Sequence, residues 1–472
     1  MLALGRVKKE AWAMTSVTVP GANGISTALN FSTGDNSAFQ TKLLNSLLST
    51  FSNPSLYVSL NPSSTAPNPA QPSLLAIENT PAAAIVLGSG FDGLINTASG
   101  PSTIQGNSGQ NQSVVAGSGG TTFWAGVGES GTLAAAGGNN TFMGPSAGGG
   151  NWTLLLDGAG HNTVVAGTGD HLIQDSSGEN NLVYLGSGAD TLGAFGADTI
   201  VGGTGQGTVF QNGTGAVLYG ENGTLEVVNN GGANTVMAGV GPETVFANAG
   251  GGTYVGDAQS SGTMIFVNQP GSVAGAASTF TAGLGNTTAF ALSGSGLYNA
   301  GHGAFTLLVE NGTDTIAGTS GMNSVTVFAE SGGDVVFNGD ANGNILVAGS
   351  GNTTLNASGS AGANVLFNEA GAGNAATLMG GSYYNYFIAS AANATMVGGS
   401  GHNIFQFING ADGGNDLIQG WNSKDSLDFY GYGTTQPTQT TASGSTVISL
   451  SDGTKITIAG VTSVPTSQIH LA

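Results

Sequence analysis

Residues 202–255 read "GGTGQGTVF QNGTGAVLY GENGTLEVV NNGGANTVM AGVGPETVF ANAGGGTYV", six consecutive units of nine residues. Their eighth position holds Val209, Leu218, Val227, Val236, Val245 and Tyr254, and is apolar every time. Nine residues are too few for a helix-and-turn repeat but suffice for one tight turn and one short strand. Side chains alternate along a strand, so position eight faces inward while positions seven and nine face outward. Glycines at the unit starts supply the left-handed turns that return the chain for the next strand. The expected product is a narrow stack of short parallel strands.

Elsewhere the spacing slips by a few residues, yet glycine-rich turns and apolar strand centres persist from Leu87 to about Phe407. The first 80 residues differ. Asn36–Phe51, "NSAFQTKLLNSLLSTF", sets Phe39, Leu43, Leu47 and Phe51 four residues apart and predicts a helix over 36–51, capped by Asn36 or Ser37. Pro54 ends it, 55–60 reads as a strand, and Pro62, Pro67, Pro69 and Pro72 stiffen the segment 61–72. The sequence therefore predicts a small α/β cap over 1–80, closing the open end of a stack. Beyond the cap it predicts a β-solenoid body over 81–397 and a distinct module over 398–472.

Composition narrows the function. The chain has 472 residues, 83 of them glycine, with no cysteine. Disulfides and thiolate metal sites are thereby excluded. Six Lys and Arg stand against 26 Asp and Glu, a formal net charge of −20. All six basic residues lie outside Leu43–Ser423. A body without a cation has nothing to neutralise phosphates, which argues against nucleic-acid binding. No apolar run reaches the length of a membrane-spanning helix. The stretch "MLALGRVKKEAWAMTSVTVPG" shows no continuous apolar signal segment, and either Met1 or Met14 serves as the start.

The units resemble the RTX, or haemolysin-type calcium-binding, nonapeptide family, whose pattern is G-G-x-G-x-D-x-U-x with U apolar. The resemblance runs over roughly Leu87–Gln419 and implies an all-β fold, a parallel β-roll or β-solenoid of Gly/Asn-rich repeats. It is close in glycine spacing and loose at the acidic sixth position. There Gly207, Ala216, Asn234 and Gly252 replace aspartate, as do Asn162, His171 and Asn180 earlier, while Glu243 keeps a carboxylate. Calcium needs six to eight oxygens. In the family, aspartates two units apart share an ion. Asp190 and Asp198 match the motif singly, and Asp314 with Asp334 is the pair expected to flank an ion. Asparagine at the other units suggests amide ladders in place of metal.

Residues 398–429, "GGSGHNIFQFINGADGGNDLIQGWNSKDSLDF", resemble the closing module of type I-secreted RTX proteins, including serralysin-type proteases. Asp416, Ile418, Gly420, Trp421, Asp425, Leu427, Asp428 and Phe429 fall on that pattern, and Asn403 replaces the aspartate of the last full repeat. The resemblance implies calcium ligands at Asp412, Asp416 and Asp425, a terminal β-hairpin turning at Asp452–Gly453, and export through type I machinery by an uncleaved signal in this module. Calcium is thus expected at a few sites, mainly C-terminal.

No H-E-x-x-H, nucleophile elbow or phosphate loop is present, and the five histidines are scattered. The expectation is a non-enzymatic structural or adhesive protein, extracellular or on the bacterial surface, as in an S-layer or biofilm matrix. Its expected partners are copies of itself or a cell-surface polysaccharide. The alternative is a secreted calcium-dependent hydrolase acting on protein or polysaccharide.

Overall fold

A computed structural model describes the strands 14–20, 26–32, 57–60 and 73–77, and residues 83–472 apart from short turn segments. Those segments are 89–90, 97–99, 117–118, 136, 157–159, 176–179, 249–250, 258–261, 270–276, 319–323, 331–333 and 339–342. The helix expected over 36–51 and the proline-rich stretch 61–72 lie outside the described residues. The chain is all-β, with parallel strands forming a β-solenoid, and divides into two units, 1–225 and 226–472. The division falls inside the repeat body.

In the first unit successive strands alternate between two parallel sheets, so each strand pairs with the one two places away. The front sheet contains Phe91–Asn96, Asn111–Ala116, Ser130–Ala135, Trp152–Leu156, Leu172–Asp175, Ala189–Ala194 and Gln206–Gln211. Tyr57–Leu60 and Ser73–Ile77 join this sheet in parallel, so the stack already runs at residue 57. The back sheet runs from Ala83–Val86 to Val217–Tyr219 in strands of three or four residues. The second unit repeats the alternation, from Glu243–Ala247 to Ser426–Tyr430 in front and from Thr235–Met237 to Asn415–Gln419 behind. Met14–Pro20 and Ser26–Ser32 form an antiparallel pair that the sequence reading did not foresee.

In-register stacking puts like positions over like. In the first unit Leu133, Leu154, Ile173, Leu192 and Val209 form one inward column, fully buried. Phe123, Phe142, Val164, Val183, Ile200 and Leu218 face them from the back sheet. All six eighth-position residues of 202–255 are 0% exposed, as the alternation requires. Each such side chain contributes about 1.5–3 kcal/mol by leaving water. The outward neighbours Phe210, Tyr219 and Met237 are exposed.

Sixth positions also face inward, at the corners where turns enter strands. Their small residues make room for large neighbours. A Cβ on Gly207 would stand 2.9 Å from Leu225 Cδ1 and 3.0 Å from Leu185 Cδ1, so leucines of adjoining turns occupy the space an aspartate would take. Gly131 likewise clears Trp152, whose indole N–H donates to the Glu129 carbonyl at 2.8 Å. In the second unit Gly252 and Gly296 lie beneath the rings of Tyr254 and Tyr298, with virtual Cβ contacts of 2.4 and 2.6 Å. The tyrosine hydroxyls bond Asn229 and Asn268 across the interior at 2.6 and 3.2 Å. The Tyr254 ring lies tilted against Phe266, the Tyr298 ring meets Phe266 edge-on, and Phe266 stacks on Phe280.

In 398–472 the parallel stack continues through Ser426–Tyr430 to Ile469–Leu471, and an antiparallel meander is added to the back sheet. Gln439–Ala442, Ser445–Ser449 and Lys455–Ile458 form a meander, and the last of these pairs in parallel with Asn415–Gln419. The turn expected at Asp452–Gly453 is present, with Asp452 accepting the Thr454 N–H at 3.1 Å. The other turn uses Ser443 and Gly444, both with positive φ (51° and 77°). That double left-handed geometry matches the twist of a hairpin.

Gly252→Ala should destabilise the fold by about 1–3 kcal/mol, because the new methyl meets a ring that cannot retreat through a packed core. Combining it with Tyr254→Val should recover part of that loss. Denaturant midpoints of the single and double variants measure the coupling, and strict additivity would refute the pairing of glycine with tyrosine.

Candidate functional site

The corners are where the backbone leaves the strand ladder, and their N–H groups need other acceptors. Side chains at the sixth position supply them. In the first unit Asn140 Oδ1 accepts the Thr121 N–H at 2.9 Å, Asn162 Oδ1 that of Asn140 at 3.0 Å, and Asn181 Oδ1 that of Asn162 at 2.7 Å. Asp198 Oδ1 ends the series on the Asn181 N–H at 2.7 Å. The inward asparagine is Asn181, with Asn180 on the exposed side, a one-residue correction to the sequence reading. On the front sheet His171 Nδ1 accepts the Trp152 N–H at 3.1 Å, and Asp190 Oδ1 accepts the His171 N–H at 3.0 Å. Asparagine, histidine and aspartate are interchangeable here because each offers one acceptor at the same place.

The second unit carries a series of four stacked asparagines. Asn344, Asn364, Asn385 and Asn403 stack in register, each Nδ2 donating to the next Oδ1 at 2.8–3.0 Å. Asn403 passes the last such bond to Asp425 Oδ1 at 2.8 Å. Every member is buried. Asparagine ladders are therefore present, as the composition suggested, and the aspartate missing at Asn403 is replaced by an amide within a ladder.

The expected calcium ligands fall into distinct environments. Asp190 is satisfied by N–H groups at both oxygens, Gly186 donating to Oδ2 at 2.6 Å. Asp425 accepts from Asn403 N, Asn403 Nδ2 and Asn422 N. Converging N–H donors stabilise an anion, so these two carboxylates do not fit a cation cage. Asp198 sits beside Asp175, whose Oδ2 accepts from Asn181 Nδ2 at 2.7 Å. Asp314 and Asp334 lie on adjacent back strands but one residue out of register: Asp334 is opposite Thr313, and Asp314 is opposite Val335. Asp314 faces the interior on the Gly296 N–H, while Asp334 faces outward on the Thr354 N–H. The structure does not bring that pair together. Asp412 and Asp416 lie near enough for the one charge to raise the other, and each is bonded through one oxygen, to Ile408 N and Ala394 N, with a second, buried oxygen lacking a hydrogen bond. Asp198 and Asp314 likewise keep a buried oxygen without a hydrogen bond; Asp412 and Asp416 differ in that both members of the pair are expected ligands. Among the described residues, no three acidic or histidine side chains form a metal-binding group.

Burial raises these acids. Desolvation pushes Glu129, Asp198, Glu243, Asp314 and Asp416 up to about 7, and Asp412 to about 6. Glu129 was missed in the sequence, although "AGVG" at 125–128 repeats at 238–241. In both places a glutamate comes after the tetrapeptide and accepts the N–H of its first glycine, Gly126 or Gly239. The repeated tetrapeptide was the available signal.

A second polar group, unmarked in the sequence, lies on the outer front face of the second unit. His470 Nδ1 donates to Asp428 Oδ1 at 2.9 Å, and Ser426 Oγ bonds the same oxygen at 3.2 Å. Serine thus bonds the carboxylate and not the imidazole, unlike a nucleophilic triad. Comparison with protein-family models and with curated proteins gives no match for this chain.

The raised carboxyls fix a sign for pH. Folded, they hold protons up to pH 6–7; unfolded, they lose them near the ordinary value of about 4. Between those limits the folded state binds more protons, so stability is greatest below pH 4 as far as these groups are concerned and falls as pH rises through 7. Thermal midpoints measured from pH 4 to 8 should decline, and Glu129→Gln with Glu243→Gln should flatten the decline. A midpoint that climbs over this range would contradict the assignment.

Proposed function

We propose that this is a non-enzymatic structural or adhesive protein of the bacterial surface or matrix, belonging to the RTX type and exported by type I machinery through its 398–472 module. One observation carries the reading: the back sheet of the first unit, from Ala83–Val86 to Val217–Tyr219, bears no charged side chain in a chain of net charge −20. Its outward columns are threonine-rich on one side, with Thr122, Thr141, Thr163 and Thr199. On the other side Trp124, Met143, Val165, Tyr184, Val201 and Tyr219 stack in register. Trp124 is 50% exposed, and Tyr184 and Tyr219 about 40%. A contiguous apolar face of this kind marks an interaction surface. Two strongly acidic copies repel everywhere except where charge is absent, so the occupant that fits is a second copy of the chain, face to face.

Sedimentation velocity should show concentration-dependent association that persists in high salt. Trp124→Ser, Tyr184→Ser and Tyr219→Ser together should abolish it without lowering the melting temperature. A wild-type protein that stays monomeric at high concentration would sink the reading.

A few calcium ions are part of the proposal, with Asp412 and Asp416 as the pair best disposed to hold one. Bound to the folded state only, calcium would stabilise it by mass action and offset the repulsion between these acids. Calorimetric titration of chelator-treated protein should find few sites, fewer still in Asp416→Asn, with Asp425→Asn leaving the stoichiometry unchanged. One ion per repeat would overturn this.

A further inference from the structure

Four strands of the second unit lie side by side on the front sheet: Tyr384–Ile388, His402–Ile408, Ser426–Tyr430 and Ile469–Leu471. Their register aligns Ile388, Gln406, Asp428 and His470 in one outward rung. Three polar side chains of that rung are held by neighbours, and each leaves one functional atom unused. Asp428 Oδ1 accepts from His470 and Ser426, while Oδ2 has no hydrogen bond. The Nδ1–H of His470 is committed to Asp428, which leaves Nε2 as an acceptor on a side chain 60% exposed. The Tyr386 hydroxyl donates to Gln406 Oε1 at 2.7 Å, fixing a largely covered amide, 9% exposed, with its Nε2 donor unbonded.

We propose that this rung, framed by Tyr384, Tyr386 and Tyr430, binds the sugar rings of an uncharged polysaccharide. Strands are about 4.8 Å apart, so the three polar groups recur at roughly the width of one hexose ring. A donor on Gln406 followed by acceptors on Asp428 and His470 suits hydroxyl groups, which both donate and accept. Tyr384 and Tyr430 are exposed, and tyrosine offers an apolar ring face together with a polar tip, the combination that packs on the C–H face of a pyranose. Tyr384 is braced against the His402 ring at 4.9 Å, and such prior ordering lowers the entropic cost of binding. Acidic sugars would face the Asp428 carboxylate and be repelled by it, as neutral sugars are not. Glycosidic cleavage normally uses two carboxylates, and this rung has one, so the arrangement holds a sugar without cutting it.

The site deepens the adhesive reading by naming a partner chemistry, but it stands on different residues from the uncharged back sheet. The test is electrophoresis of the full chain through native gels containing dextran, hydroxyethylcellulose or galactomannan, with alginate as the acidic control. Retardation is expected in at least one neutral polymer. It should weaken about tenfold in Tyr430→Ala and in Asp428→Asn, with melting temperatures within a few degrees of wild type; Tyr384→Ala serves as a further variant should either fold poorly. The Trp124/Tyr184/Tyr219 triple variant should be retarded like wild type, which separates this site from self-association. Absence of retardation in all three neutral polymers, retardation unchanged by the variants, or equal retardation in alginate would each overturn the proposal.

Discussion

A strand of three residues has too few hydrogen bonds to exist alone, and in this protein it exists because the same position of another turn lies directly above and below it. In-register parallel stacking is the constraint on which the rest of the structure depends. It converts each repeat position into a column, so one residue type must suit its own image a turn away. Apolar residues meet this condition by packing, as Phe387 does on Phe405. Asparagine meets it by bonding to itself, since its amide donates upward and accepts from below. A carboxylate cannot, because two stacked anions repel. Aspartates therefore end series of amides, as Asp198 and Asp425 do, and do not continue them.

The interior corners extend this logic. A backbone N–H leaving the ladder has no carbonyl to meet, and an unmet buried donor costs about 1–3 kcal/mol. The sixth-position side chain answers that need, and glutamate extends the reach at the two AGVG turns. Where that position is glycine, the turn closes by other means and the vacated space goes to Leu185 and Leu225, or to a tyrosine of the same strand. The position that carries the metal ligand in the resembled repeat family thus serves here first as part of the protein's own hydrogen bonding. Its carboxylates are held by N–H groups, buried and raised toward neutrality.

Charge is distributed by the same geometry. Inward acids are masked by burial and protonation, and outward acids are kept off the back strands of the first unit. That separation leaves one uncharged outer face in an otherwise acidic chain. The Asp428–His470 hydrogen bond sits on the outside of the front sheet.

The sequence by itself determined the strand-and-turn unit, the inward eighth position, the outward seventh and ninth, the asparagine ladders and the turn at Asp452–Gly453. All of these rest on local periodicity, which a strand's two-residue alternation makes legible. Only the tertiary structure decided register and depth. A single-residue offset put Asp314 and Asp334 on opposite sides of one sheet and made Asn181 the inward neighbour of Asn162. The irregular turns absorb insertions without marking them in the repeat, so counting units cannot fix which residue stacks on which. Nor can it reveal the Gln406–Asp428–His470 rung, whose members are up to 64 residues apart in the chain. Proximity across a stack is a property of the pairing, and the pairing is set by the whole column at once.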